Sequence, residues 1–302
     1  MAKEKPLVSI GMIVYNDALY LKKALDSLIN QTFHNLEIII SDDCSTDDSP
    51  KICEEYSRKD DRIKYTRNEE NIGEITNINK VANLAQGKYF MWASGHDKWD
   101  SSYIEKCVNK LEENPKASVC FTFRKYINES GNEQKIGKIK LDTSNNSQFM
   151  GFLKAIWFLC DHVMYGVVRR DALKKTRKYI CVLSPDHVLR TELALQGKII
   201  QITEPLFYFR QHRIESYEEV IKRRLSNWSK HKNLRWFYLG LPHWSTIHEY
   251  AKGARYNSDN LFKKIIYSAT AYLVGGIRYA KVLLKDIIKL PVRIKYVKEY
   301  RK

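Results

Sequence analysis

Nowhere does the sequence hold the roughly 20 consecutive apolar residues that a membrane-crossing helix requires. The longest candidate, IIYSATAYLVGGI at 265–277, is only about 13 residues long and lies between Lys263-Lys264 and Arg278, so no span is expected. The opening MAKEKPLVSI has lysines but no apolar core of about 7–15 residues ahead of small ones. A cleaved leader is therefore not expected, and the chain is expected to remain in the cytoplasm. Cysteine supplies no scaffold: Cys44, Cys53, Cys107, Cys120, Cys160 and Cys181 are scattered, without a C-x-x-C pair or histidines at zinc spacing. Lone thiols of this kind suit a reducing compartment. There is no low-complexity segment and no repeat of about 20–50 residues, which excludes solenoids and propellers.

Acidic residues are fewer than basic ones, 35 against 51, for a net charge of +16. The imbalance is local. Residues 205–302 hold 21 Lys and Arg against 7 Asp and Glu, about +14, which leaves about +2 for residues 1–204. A tail so charged can attract nucleic acid, anionic lipid or an acidic substrate, and charge alone does not choose among them.

With 44% apolar residues in 302, the chain can bury a full core. Apolar, β-branched runs at 7–14 (LVSIGMIV), 36–41 (LEIIIS), 63–67 (IKYTR) and 89–94 (YFMWAS) alternate with segments of helical periodicity at 19–31, 49–60 and 74–86. Near-continuous apolar strands between helices predict an α/β fold, a Rossmann-like, mostly parallel sheet covered by helices on both faces. Further on, 101–114 reads as a helix, 117–127 as a strand and 142–150 as a loop. SPDHVLRTELALQGK opens a helix that closes at Gly197, and IIQITEPLFYFRQH reads as strand, turn, strand. From about residue 216 to the end the pattern is helical.

Ligands of open parallel sheets bind beyond the carboxyl ends of the strands, which here means the loops after residues 14, 41, 67 and 94. Three of these four loops carry Asp. The first reads VYNDAL, with neither the G-x-G-x-x-G of dinucleotide enzymes nor a G-x-x-x-x-G-K-[ST] phosphate cradle. If the ligand carries a pyrophosphate, a Mg²⁺ or Mn²⁺ ion held by carboxylate is the usual alternative for neutralising it.

The ordered set PLVSIGMIVYND, EIIISDDCSTDDS, RNEENIG, QGKYFMWASGHDKW and SPDHVLRTELALQG, spread over residues 6–215, resembles the inverting family 2 glycosyltransferases of GT-A fold. The resemblance implies transfer of a sugar from a nucleoside-diphosphate sugar, UDP by default, to a glycan or lipid-linked acceptor in the synthesis of cell-surface polysaccharide or glycoconjugate. It implies that Val14, Tyr15 and Asn16 lie at the base, that Asp42 or Asp43 bonds base or ribose, and that Arg67 lies near the nucleotide. Asx-rich loops such as DDCSTDD also arise from turn chemistry alone.

The family's D-x-D metal motif is reduced here to Ser94-Gly95-His96-Asp97. Alignment on Trp99 makes Asp97 the main ligand of Mn²⁺ or Mg²⁺, with Gly95 and His96 against the donor. His96 itself has three readings: ligand to Mn²⁺, hydrogen-bond partner of ribose or phosphate, or structural replacement. Asp186, at a helix start, falls on the family's catalytic base, although an acid there also suits the helix dipole. His212, with Arg210 or Arg213, is the candidate for neutralising the leaving group, unless these residues merely begin the basic tail. Asp161, His162 and Arg169 are candidates for touching acceptor hydroxyls, and Trp157 and Phe158 are either core or a sugar platform.

The same resemblance divides the chain into a catalytic domain at 1–215, with a nucleotide-binding half (1–100) and an acceptor-side half (101–215), and a basic helical extension at 216–302. In the extension, Arg278, Lys281, Lys285 and Lys289 share one arc, and Ile277, Ala280, Leu283, Leu284, Ile287 and Ile288 lie on the other side, with Pro291 expected to end the helix. Such a helix suits peripheral contact with an anionic membrane at its inner face, or packs its apolar side on the catalytic domain. Two rival functions are a nucleotidyltransferase, which usually needs a Gly-rich basic loop that VYNDAL lacks, and a non-catalytic binder of membrane or nucleic acid. The second leaves Asp42, Asp97 and Asp186 without a purpose, so nucleic acid is not an expected partner.

Overall fold

A computed structural model describes residues 5–211, 219 and 236–300. Its first half alternates β1 (Val8–Val14), α1 (Ala18–Ile29), β2 (Leu36–Asp42), α2 (Ser49–Lys59), β3 (Ile63–Arg67), α3 (Glu74–Leu84) and β4 (Tyr89–Ser94). β1 pairs in parallel with β2 on one side and β4 on the other, and β2 pairs in parallel with β3. Both faces are buried. Val8, Ile10, Met12 and Val14 share a core with Leu21, Leu25 and Leu28 of α1, while Phe90 and Trp92 share another with Ile78 and Val81 of α3. Gly11 sets the closeness of that second face, since a Cβ there would fall 2.7 Å from the Phe90 ring and 2.8 Å from Val81.

The second half continues with β5 (Lys98–Trp99), α4 (Tyr103–Glu113), β6 (Ala117–Ile127), β7 (Glu133–Gly137), α5 (Gln148–Trp157) and a 3₁₀ turn (Asp161–Tyr165). After these come β8 (Val167–Arg169), α6 (Arg170–Lys174), α7 (Pro185–Gln196) and β9 (Lys198–Arg210). Among the described residues the sheet has nine strands in the order β3-β2-β1-β4-β8-β6-β9-β5, with β7 beside β6. Antiparallel pairs enter only in this second half, and the parallel ladders hold most of the paired residues.

Three boundaries differ from the sequence reading. The expected loop 142–150 ends at Ser147, whose hydroxyl accepts from the Met150 N–H at 3.2 Å and starts α5 at Gln148. The expected turn at Glu204-Pro205 is absent: β9 is one strand of 13 residues, and its register against β6 slips between Thr122 and Phe123, so that Ile202 and Pro205 face consecutive partners. A bulge of this sort accommodates a residue with no N–H to donate. Pro291 does not end its helix either.

The C-terminal segment comprises α8 (Trp236–Gly240), α9 (Pro242–Tyr256) and α10 (Leu261–Tyr300), and α10 runs through Pro291, which is exposed. The carbonyl that loses its partner there is on a side open to water. The expected domain boundary near 215 lies outside the described residues. α9 and α10 pack on α5 and α7: Tyr250, Ala251, Tyr267 and Ala271 share a core with Phe152, Val188 and Leu195. Since Leu189 and Leu193 face the sheet core, α7 is buried on two sides.

An ion pair locks this layer. Arg177 donates from Nε to Glu192 of α7 at 2.6 Å, and its Nη1 and Nη2 reach the carboxylate and carbonyl of Glu249 in α9. Gly253 allows the approach, because a Cβ there would lie 2.8 Å from both Arg177 Nη2 and Glu192 Oε1. Removing the cation would strand two buried carboxylates. Arg177→Met is expected to lower the unfolding free energy by about 3–5 kcal/mol in urea melts; a loss below about 1 kcal/mol would show that the pair does not hold the layers together.

Candidate functional site

The loops leaving β1, β2 and β4 meet at one edge of the sheet and are joined by hydrogen bonds. Asn16, at φ 55°, donates its N–H to Ser45 Oγ at 2.9 Å, and its side-chain oxygen accepts from the Thr46 N–H at 2.8 Å. Asn tolerates this left-handed conformation better than most residues, whereas Cys44, at φ 63°, is held there by its neighbours. The N–H groups of Asp17 and Ala18 donate to Ser49 and Asp47. The Val14 side chain is in the core and its carbonyl accepts from Asp43 N–H, so Val14 offers no side chain to a ligand. Tyr15 is half exposed and does.

Asp42 and Asp43 are both buried, and their carboxylates organise the loops. Asp42 Oδ1 accepts from the Ser45 N–H at 3.0 Å and the Ser45 hydroxyl at 2.5 Å, while Oδ2 takes the Tyr65 hydroxyl at 3.2 Å and lies 3.4 Å from Arg67 Nε. Asp43 gathers the segment after β3, accepting from Asn68 Nδ2 and from the N–H groups of Ile72 and Gly73. Arg67 also donates to the Ser45 carbonyl and keeps nearly half its side chain exposed.

At the end of β4, Asp97 is fully buried. Its Oδ2 accepts from Ser94 Oγ at 2.6 Å and its Oδ1 from the Arg210 N–H at 2.8 Å. Arg210 acts as a latch: its guanidinium donates to the carbonyls of His96, Asn128 and Glu129 and lies 4.2 Å from the Tyr20 ring centroid. His212 and Arg213 lie outside the described residues. His96 Nδ1 is 3.2 Å from Asp17 Oδ1, and Gly95 must lack a Cβ because Asp17 Oδ2 would be 2.6 Å from it. Burial works against charge on His96, yet the hydrogen bond with Asp17 and the charges of Asp97 and Asp17 outweigh it and raise its pKa.

Asp17 is the residue that sequence reasoning passed over. It was visible as the Asp on the first strand-end loop, but nothing marked its contact with His96. Among the described residues no three His, Cys, Asp or Glu converge as a metal cage. A Mg²⁺- or Mn²⁺-sized ion that takes most of its ligands from phosphate needs only one or two protein groups, and the group around Asp97, His96 and Asp17 fits that kind of site. Carboxylate oxygens suit either ion and an imidazole suits Mn²⁺, so these residue types match such a site in kind.

Asp186 lies in the first turn of α7, which buries most of its side chain. Burial raises the pKa of the Tyr165 phenol, and the charges of Asp97, Asp161, Glu74 and Asp186 raise it further. His187 stands beside Asp186, its Nε2 at 3.5 Å from Asp186 Oδ2 and its Nδ1 at 3.3 Å from the Tyr279 hydroxyl of α10. Of the acceptor-side candidates, His162 is buried against Phe121, and Arg169 donates to the Ala117 and Leu111 carbonyls and to Tyr89. Both are structural. Asp161 stays half exposed, paired with Arg124 at 2.7 Å.

A family model described as glycosyl transferase family 2 matches residues 9–177, more than half of the chain. The chain belongs to this family. An uncharacterized glycosyltransferase of Methanocaldococcus jannaschii is 28% identical over 278 residues, covering 89% of each chain. A putative teichuronic acid biosynthesis glycosyltransferase of Bacillus subtilis, TuaG, is 36% identical over 126 residues, 42% of this chain and 49% of that one. The glycosyltransferase described here thus spans about half of the TuaG length. In fold it is similar to S. aureus TarS residues 1–349 in complex with UDP-GlcNAc, at TM-score 0.58 and 18% identity over 97% of this chain and 91% of that one. It is also similar to the mannosyltransferase PcManGT of Pyrobaculum calidifontis in complex with GDP-Man and Mn²⁺, at TM-score 0.55 and 16% identity over 95% and 88%. The architecture is the GT-A fold that the motifs implied.

His187 gives this enzyme a pH dependence of known sign. Burial lowers its pKa to about 4, against the opposing charge of Asp186, so the fold holds it neutral. The stabilisation is complete above the unfolded value near 6.5 and is lost as pH falls toward 4, by on the order of 3 kcal/mol. Melting curves from pH 7 to 4 should therefore fall more steeply for the wild type than for His187→Gln; parallel curves would remove His187 as the cause.

Proposed function

We propose that this glycosyltransferase transfers one sugar, with inversion, from a nucleoside-diphosphate sugar to a glycan or lipid-linked acceptor in cell-surface polysaccharide or glycoconjugate synthesis. In this reading the enzyme works on the cytoplasmic side, peripheral at the inner face of the membrane. UDP is the default nucleotide. The observation that supports the reading is that a chain matched by the family 2 model joins the loops after β1, β2 and β4 at one sheet edge, with the acids Asp17, Asp42, Asp43 and Asp97 on them.

The base and ribose occupy the edge formed by Tyr15, Asn16 and the loop that Asp42 and Asp43 hold, with Arg67 beside the nucleotide. Asp97 and His96, supported by Asp17, would hold a divalent cation, Mn²⁺ or Mg²⁺. When bound, that cation neutralises charge on the diphosphate. His212, outside the described residues, is the candidate for neutralising charge on the same phosphates. Asp186 accepts the proton of the acceptor hydroxyl as its oxygen bonds to the anomeric carbon from the face opposite the nucleotide. The bond from the anomeric carbon to phosphate oxygen breaks, its electron pair leaves with the nucleoside diphosphate, and the proton stays on Asp186. Placement at a helix start suits a carboxylate that must be charged before it acts.

The test is turnover of a panel of UDP- and GDP-sugars with Mn²⁺. Asp186→Asn should reduce transfer by about 10²–10⁴-fold at unchanged melting temperature. Wild-type turnover in that variant would remove Asp186 as the base, and a panel that yields nucleotide transfer in place of sugar transfer would sink the reading.

A further inference from the structure

The long helix α10 has three faces where an amphipathic helix on a domain surface has two. Its inner face, with Tyr267, Ala271, Gly275 and Leu283, is buried against the rest of the protein, and Gly275 brings the backbone within 3.1 Å of Ile247 measured from a built Cβ. Asp286 is on this face too, fully buried, bonded to His243 Nδ1 at 2.9 Å and Arg293 Nη1 at 2.8 Å. A flank carries Lys281, Lys285 and Lys289, each exposed and four residues from the next. The third face is apolar and bare: Phe262 is 73% exposed, Leu273 65%, Ile277 61%, Leu284 60% and Ile288 66%. The last four are spaced at four, seven and four residues, so they form one stripe along the helix.

The sequence pattern left open whether the apolar side of this helix packs inward. Only Leu283 of that side does: Ile277, Leu284, Ile287 and Ile288 face outward, while Tyr267 and Ala271, from elsewhere on the helix, make the core contact. Four large, bare apolar side chains aligned over about 22 Å of helix are the kind of contiguous apolar surface that marks an interaction site.

We propose that this face of α10 docks the enzyme on an anionic lipid bilayer, with the stripe in the boundary between headgroups and acyl chains and the lysine flank at the headgroups. Charge selects the partner. From 261 to 294 the helix has seven Lys and Arg and one acid, and that acid, Asp286, is turned into the core. A second copy docked through the same helix face would bring the same lysines and no acid of that face to answer them, whereas anionic headgroups answer them directly. The helix lies flat, because no described helix is long and apolar enough to cross a membrane. The stripe is continuous with a second apolar area, since Ile277 and Arg278 line a cavity of about 410 Å³ together with Ile139, Trp157, Phe158 and Leu159. Trp157 is half exposed there, and Arg278 Nε donates to its carbonyl at 2.9 Å. Tyr279 of the same helix reaches His187 beside Asp186, so the docked face lies next to the acceptor side; this last consequence rests on the proposed function.

Flotation of the full chain with phosphatidylcholine vesicles, with and without about 30 mol% phosphatidylglycerol, tests the proposal. The wild type should float with the anionic vesicles, less so as salt rises. The triple variant I277D/L284D/I288D should bind at least ~10-fold more weakly while keeping its melting temperature and its donor hydrolysis, because these side chains touch no core. K281E/K285E/K289E should lose the preference for phosphatidylglycerol. Wild type that stays in solution with every vesicle overturns the proposal, as does vesicle binding unchanged by the triple variant. A dimer in light scattering that the triple variant dissociates would assign the face to self-association instead. Donor hydrolysis reads separately: its loss in the wild type would count against the proposed reaction and leave the docking result standing.

Discussion

A parallel strand buried on both faces can meet a ligand only at its ends, and β1, flanked by β2 and β4, is such a strand. Its seven residues are all buried or nearly so, which removes every side chain along it from chemistry. Residues that meet a ligand must therefore follow the strands, and the candidates do: Tyr15 to Asp17 follow β1, Asp43 to Asp48 follow β2, and Gly95 to Asp97 follow β4. Buried carboxylates then fix those loops, because a buried charge must be answered by several donors. Asp42, Asp43 and Asp97 each accept two or three hydrogen bonds, and each ties its own loop to another segment.

α7, which carries Asp186, is under a second constraint, burial on two sides. A helix between the sheet core and the α9–α10 pair cannot rotate or slide without exposing apolar surface on one side, so Asp186 in its first turn keeps a fixed position. The C-terminal helices thus support α7. Arg177 is the polar element of that support, and His187 with Tyr279 carries it to the neighbour of Asp186.

Much of this was legible in the sequence, for an identifiable reason. Apolar runs bounded by Asp and Gly are the imprint of buried parallel strands, so β1 to β4 and the loops after them could be read directly, as could α7 from Ser184-Pro185 to Gly197. The remainder depended on contacts between distant residues. Nothing in FRQH marks Arg210 as a latch on the His96 and Asn128 carbonyls, since a buried arginine and a phosphate-binding one look alike. Val14 was read with its loop although the strand buries it. Glu204-Pro205 resembles a turn, yet a register slip against β6 absorbs it. The apolar side of α10 could not be assigned inward or outward by periodicity, because both arrangements need the same spacing.

The central claim is that the joined strand-end loops, and no other surface, bind the donor nucleotide. Hydrogen–deuterium exchange on the full chain with saturating UDP or GDP, each with and without Mn²⁺, addresses it most directly, because exchange reports local opening segment by segment. The account predicts slowed exchange in segments 14–18, 42–48, 67–73 and 94–99 with one of the two nucleotides. Nucleotide binding that leaves those four segments unchanged while protecting another part of the chain would contradict it.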